Sequence, residues 1–476
     1  AKRSAAELMW KSAAAILATG ARAAGTLLQS HLLRAIHECR SQGLHRLAAA
    51  GLRVMQNVRL LREENDAFRS EDLVSDFAEL LRVAWTLSRT EQAPGREWLG
   101  VARRKFTPAG SLRLRGLFTE PILTRSGYSG VVTYLLADDE TIFSVSNVRP
   151  GNASRILEAY QTGAEVGGLS VPHQALNRQS LLMQKATRSV DGRLGGGKEC
   201  RAITLESDGW NSEVVTRRFA VPLHDQVQRV FASESPIPSE QPAGWDLLFL
   251  AGTILGSDGE NLFLALKDQP GVVRLKIATD HPALPFRENL ELLARVPGLP
   301  IRCIARMVLS SPGDALALAL SPMSDEESPS LCQLPDDWQS IVNLGIDNLK
   351  RGFFQKAHPQ PHVVEASSVN EAAADGLDFV RRRLQAVALG GRHALPTGRV
   401  GAAVSDARSL DAHLQPTAAS LLKGLAQCAI ESRTDLLGTR FPPDPSHLAE
   451  RWLAGAIYEE TARRHFQKWN WQRVGN

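Results

Sequence analysis

Ser111-Leu112-Arg113-Leu114-Arg115 alternates apolar and basic side chains, the period-two signature of a strand with one buried face. Ile122-Leu123 continues the run beyond Pro121, a residue suited to an edge or a bulge. Ser126-Gly127 reads as a turn into Val131-Val132-Thr133-Tyr134-Leu135-Leu136. Asp138-Asp139 turns again into Thr141-Ile142-Phe143-Ser144-Val145. Three β segments joined by short turns form a meander. Ser154 to Tyr160 is a short helix, and Ser180-Leu181-Leu182-Met183 with Arg201-Ala202-Ile203-Thr204-Leu205 make a hairpin around Gly195-Gly196-Gly197.

The same order returns downstream. Strands at 248–255, 262–266 and 272–277 are followed by a helix at 286–295 and strands at 301–309 and 316–320, with turn residues such as Gly256-Ser257-Asp258-Gly259 between them. Three strands, a helix and two strands is the order of a five-stranded OB barrel. Residues 100–208 and 244–322 therefore read as tandem OB-like β modules.

Helices flank them. Leu27, Leu28, Leu32, Leu33 and Ile36 recur at helical spacing, as do Leu52, Val54, Met55, Val58 and Leu61. A third helix starts near Ser70, ahead of Glu71 and Asp72, and carries Leu73, Phe77, Leu80, Leu81 and Trp85. Residues 1–92 are expected as a helical bundle. Beyond an acidic linker at Ser324 to Pro329, residues 332–476 are expected as a helical domain with helices at 338–354, 369–389, 418–432 and 447–471. The fold class is α+β: helical bundle, two OB-like modules, helical domain.

The chain has 476 residues, 43% hydrophobic and 22% charged, the composition of a globular protein with a core. Its 55 basic and 51 acidic residues leave a net charge of +4, too small for a protein that coats nucleic acid over its whole surface, so any such surface is local. Arg, Ala, Leu and Gly dominate, as in proteins of GC-rich bacteria. The five cysteines (Cys39, Cys200, Cys303, Cys332 and Cys428) are scattered, with no CxxC, CxC or CxH. That pattern implies free thiols in a reducing cytoplasm and offers no local zinc site. No apolar stretch approaches the roughly 20 residues that span a bilayer. Lys2-Arg3 and the Ala-rich run after them are interrupted by Glu7, Lys11 and Arg22, and without an initiator Met the chain reads as a piece missing its beginning.

Arg103-Arg104-Lys105-Phe106-Thr107-Pro108-Ala109-Gly110, running on through Arg113 and Arg115 to Pro121, and Ser126-Gly127-Tyr128-Ser129-Gly130-Val131-Val132-Thr133-Tyr134 resemble a group of bacterial proteins linked to the SWIM zinc-finger family. The resemblance covers about residues 100–200 and implies interaction with DNA or protein. A SWIM finger needs a CxC pair followed by a CxH unit. Neither is present, so the finger is expected upstream of Ala1, in a partner, or nowhere.

Few residue patterns suggest chemistry. Gly192 to Lys198 matches GxxxxGK, but Glu199 stands where a Ser or Thr should bind magnesium, and the segment that follows reads as a strand. His358 and His362 are four apart, but Pro359 and Pro361 bar the helix that would align them. GxSxG is absent, and Asp336-Asp337 suits a helix start. Neither a catalytic residue, a metal ligand nor a cofactor is expected. The candidate nucleic-acid-binding set is Arg103, Arg104, Lys105, Arg113, Arg115, Arg125, Tyr128 and Tyr134, basic and aromatic side chains that could track phosphates and stack bases on a barrel face. The competing reading pairs these arginines with Glu120, Asp138 and Glu140. A second basic-aromatic run, Arg463 to Arg473, packs its tryptophans inward or docks a partner. The expected function is a non-enzymatic binding or adaptor protein for single-stranded nucleic acid. The alternative is a protein–protein scaffold in a larger assembly, and neither reading involves a membrane.

Overall fold

The computed structural model describes residues 1–90, 94–102, 105–197, 199–206, 208–233, 240–323, 331–355, 357–364, 376–395, 400–413, 415–430, 433–434, 440–441 and 444–474. Helices α1 (Lys2–Thr19), α2 (Thr26–Ser41), α3 (His45–Arg62), α4 (Ser70–Arg89) and the short α5 (Arg96–Leu99) open the chain. Then follow β1 (Thr107–Leu123), β2 (Tyr128–Ala137), β3 (Ile142–Pro150), α6 (Arg155–Gln161), the hairpin β4 (Gly163–Val166) and β5 (Leu169–Pro172), α7 (His173–Leu176), β6 (Ser180–Arg188), β7 (Leu194–Gly195) and β8 (Arg201–Leu205). Two helices, α8 (Glu213–Ala220) and α9 (Leu223–Ser233), lead to β9 (Leu247–Ser257), β10 (Leu262–Leu266), β11 (Val272–Ile277), α10 (Phe286–Leu293), β12 (Pro300–Met307), β13 (Asp314–Pro322) and β14 (Val342–Asn343). Helices α11 (Asp378–Gly390), α12 (Val400–Ala412), α13 (Pro416–Ile430) and α14 (Pro445–Gln472) end it. The fold is α+β, with helices at both ends and antiparallel sheets between.

The N- and C-terminal helices, expected as separate domains, form one unit of residues 1–104 and 374–466. They share a single core: Phe77 of α4 meets Trp452 of α14 edge to face, with centroids 6.2 Å apart, and Trp452 Nε1 donates to the Leu384 carbonyl of α11. The backbones also meet closely. At Gly20, which ends α1 with φ +88°, a Cβ would lie 2.4 Å from the Gly390 carbonyl carbon. Ala6, Ala13 and Ala14 of α1 are fully buried, in a core that includes Leu384, Val387 and Trp452 of the C-terminal helices.

The second unit holds residues 105–373 and 467–476. Its boundary also differs from expectation. Residues 338–354, expected as a helix, contain only short 3-10 turns and β14, which extends the second sheet by pairing with β13. Leu344, Phe354 and Trp338 pack into the core of that sheet. The linker expected at 324–329 lies outside the described residues.

The first sheet runs β3-β2-β1-β6-β7, with β8 also on β6. β1 pairs with β6 through Thr107–Arg115 and with β2 through Leu114–Leu123. The register shifts between Gly116 and Phe118, a bulge that re-aims the strand. Gly116 also admits α7, since a Cβ there would come within 2.4 Å of the Asn177 carbonyl. Pro121 faces Val131 on the half of β1 that has only β2 beside it, the edge position its missing N–H requires. A parallel bridge from Ser144 to Arg193 brings β3 beside the start of β7. The second sheet runs β11-β10-β9-β12-β13-β14, and β11 pairs in parallel with β13 from Arg274↔Asp314 to Ile277↔Ala317, closing the sheet on itself. The two sheets are fused: Leu117, Phe118, Tyr134 and Leu136 of the first share a core with Leu247, Phe249, Ile304 and Leu318 of the second.

Candidate nucleic-acid interface

Alternation along β1 sorts its side chains as period two demands. Leu114 is fully buried and Leu112 packs against the same core, whereas Arg113 is exposed and Arg115 half-buried. Arg113 lies opposite Leu182 of β6, which lies opposite Ile203 of β8. Ile203 is 56% exposed, so the β1–β6–β8 face is mixed basic and aliphatic.

The expected set is divided by the structure. Arg103 and Arg104 lie outside the described residues. Lys105 is exposed beside Phe106, whose ring, 43% exposed, lies over Gly195. Arg125 is exposed in the β1–β2 turn and Tyr128 at the start of β2, at the other end of the strand. The 17 residues of β1 give roughly 50 Å of contour, so these groups form a line and do not meet in one pocket.

Two expected members are corrected. Tyr134 is buried, stacked on Phe118 at 4.8 Å with planes 17° apart, and loss of solvent pushes its phenol pKa upward. Its strand face is the one covered by the second sheet, so its ring offers no base-stacking surface. Arg115 is ion-paired with Asp138 of the β2–β3 turn, the competing reading for that residue. Glu120 and Glu140 bind other arginines: Glu120 pairs with Arg306, and Glu140 with Arg217 and Arg218.

Two exposed cations that sequence reasoning did not single out lie on the neighbouring strands: Arg188 is paired with Thr107 across β1–β6, and Arg149 with Ser129 across β2–β3. Strand register, which only the fold supplies, places them there. Among the described residues, Lys105, Arg113, Arg125, Arg149 and Arg188 have no carboxylate within ion-pairing distance. In the second sheet Arg274 pairs with Asp314, and Arg306 with Glu120 and Asp246, whereas Arg302 of β12 donates to the Trp210 carbonyl.

A buried polar network fixes the first sheet against residues 343–347. Asn343 Oδ1 accepts from the Thr119 N–H at 2.7 Å, and Asp347 accepts from Arg178 at 2.8 Å and from the Asn343 N–H at 2.8 Å. Thr119 and Thr133 hydroxyls are 2.7 Å apart, and Thr133 is 2.7 Å from His173 Nδ1. His173 is fully buried, which lowers its pKa to about 4. Thr119, Thr133 and His173 are all fully buried.

The other sequence features are placed as follows. No helix follows Gly197 among the described residues before β8, so the GxxxxGK run lacks a phosphate cradle; Lys198 lies outside them. His358 and His362 sit on an extended loop whose N–H groups donate to Arg295 and Ala294, and both line an open hollow of about 340 Å³. Trp471 is buried and donates to the Val308 carbonyl, whereas Trp469 is exposed under Arg473. All five cysteines are buried. Among the described residues, no three His, Cys, Asp or Glu side chains are grouped to hold a metal, and no helix is long and apolar enough to cross a membrane. No protein-family model matches the chain, and no solved structure matches it.

Proposed function

We propose that this chain is a non-enzymatic, cytoplasmic binding protein whose first β module holds single-stranded nucleic acid along β1. The strand orders β3-β2-β1-β6-β7 and β11-β10-β9-β12-β13, each with β3-to-β7 or β11-to-β13 contact in parallel, suit two OB-like barrels fused through one core. One observation carries the functional reading: five exposed cations on β1 and its neighbours have no carboxylate within ion-pairing distance among the described residues. Unpaired surface arginine and lysine suit phosphates, and exposed Phe106 and Tyr128 suit base stacking. The first barrel then binds and the second braces it. The SWIM-linked resemblance falls on this same module, and five buried cysteine thiols suit a reducing compartment. Fluorescence anisotropy with labelled single-stranded DNA and RNA tests the reading. Binding should weaken steeply with salt and exceed binding to duplex; no binding at low salt rejects it.

A scaffold role has one observation in its favour, the exposed Ile203 on β8 beside the partly exposed Leu182 and Leu205. Under that reading Ile203→Lys would release a co-purifying protein and leave nucleic-acid binding untouched.

A further inference from the structure

Arg218 and Arg229 project from successive helices, α8 and α9, over one stretch of β9. The Arg218 guanidinium lies 4.9 Å from the Phe249 ring centroid, and Arg229 donates to the Leu247 carbonyl two residues away. Both cations are withdrawn from water: the Arg218 side chain is 11% exposed and Arg229 is half-buried. Their neutralisation is incomplete. Glu140 approaches Arg218 only to 3.7 Å and is shared with Arg217. Asp246 is engaged through both oxygens by Arg306. Arg218 Nε is buried without a partner, and among the described residues no carboxylate lies within ion-pairing distance of Arg229. Burial lowers the pKa of both, and the charge of Arg218 lowers that of Arg229 further, to about 10, against the weaker pull of Asp246 and Glu140. Two desolvated guanidiniums with surplus donors are costly alone and well matched to a tetrahedral oxyanion.

We propose that Arg218 and Arg229 form a binding site for one phosphate-sized oxyanion, held by the unengaged N–H groups of Arg229 beside the Arg218 guanidinium. The site shares no residue with the β1 line, so Arg113→Glu should leave it intact and its failure would not touch that reading.

Thermal unfolding of the full chain in sodium phosphate against sodium chloride at equal ionic strength tests it. The wild type should show a saturable rise in Tm with phosphate, because an ion that binds only the folded state stabilises it. Arg229→Leu should lose that rise and should be at least as stable as the wild type in chloride, since an incompletely compensated, half-buried charge has been removed. A merely structural Arg229 would instead destabilise the chloride sample when replaced. A dinucleoside monophosphate acting at lower concentration than inorganic phosphate would assign the site to nucleic-acid phosphate, and the reverse order to the free ion; either supports the site. If Arg229→Leu does not fold, Arg229→Gln takes its place. No saturable rise in the wild type, or an equal rise in the folded variant, overturns the proposal.

Discussion

Arg306 of the second sheet donates from Nη2 to Glu120 Oε2 of the first at 2.6 Å, while its Nη1 reaches both oxygens of Asp246 at 2.9 and 2.7 Å. Desolvation raises the Glu120 pKa, and the two carboxylates hold Arg306 charged. One guanidinium thus joins two sheets that already share an apolar core.

Removing that guanidinium should be far more damaging than its surface equivalents. Arg306→Met strands Glu120 and Asp246 and should cost about 3–5 kcal/mol, the usual penalty for breaking a buried pair from one side. Urea denaturation followed by tryptophan fluorescence measures it. A loss within about half a kcal/mol, as at an exposed charge, would mean water reaches the site.

His173 gives a pH dependence with a definite sign. Folded, it stays neutral down to about pH 4, while the unfolded imidazole takes a proton near 6.5. The unfolded state therefore binds more protons across that interval. The contribution is fully present above pH 6.5 and is lost as pH falls from 6.5 to 4, about 3 kcal/mol in all. Glu120, with its raised pKa, acts in the opposite sense, so the difference between wild type and His173→Gln isolates the histidine. Parallel pH profiles of the two proteins would contradict the placement.

The thiols should be silent in the native state. Cys39, Cys303 and Cys332 are buried, and desolvation pushes each pKa to about 12; the thiolate is the reactive form. A thiol–disulfide indicator dye should titrate five groups after denaturation and react much more slowly before it. Rapid native reaction of several thiols would place them at the surface.

The start of β1 was legible because it buries one face, so that Leu112 and Leu114 alternate with Arg113 and Arg115 in sequence as in space, whereas β2, β9 and β13 were legible as short apolar runs between turns. Residues 338–354 were not. Trp338, Ile341, Leu349 and Phe353 have helical spacing, but Asn343 and Asp347 are committed to hydrogen bonds with Thr119, Tyr160 and Arg178, and tertiary partners override the pattern. That the terminal helices share a core was equally hidden, because nothing local pairs Phe77 with Trp452. In the candidate interface, Arg113 was readable from alternation alone. The burial of Tyr134 depends on the second sheet, and the recruitment of Arg149 and Arg188 depends on register.

The most direct measurement compares the salt dependence of single-stranded DNA binding by wild type and by Arg113→Glu/Arg149→Glu. Both side chains are exposed and unpaired, so folding should be retained within about half a kcal/mol per site, as circular dichroism would confirm. The wild type should lose affinity linearly in log–log form as salt rises; the variant should bind much more weakly, with a shallower slope, because each lost phosphate contact removes about one released counterion. Equal affinity and equal slope in the two folded proteins would contradict the claim that β1 and its neighbours carry the nucleic acid.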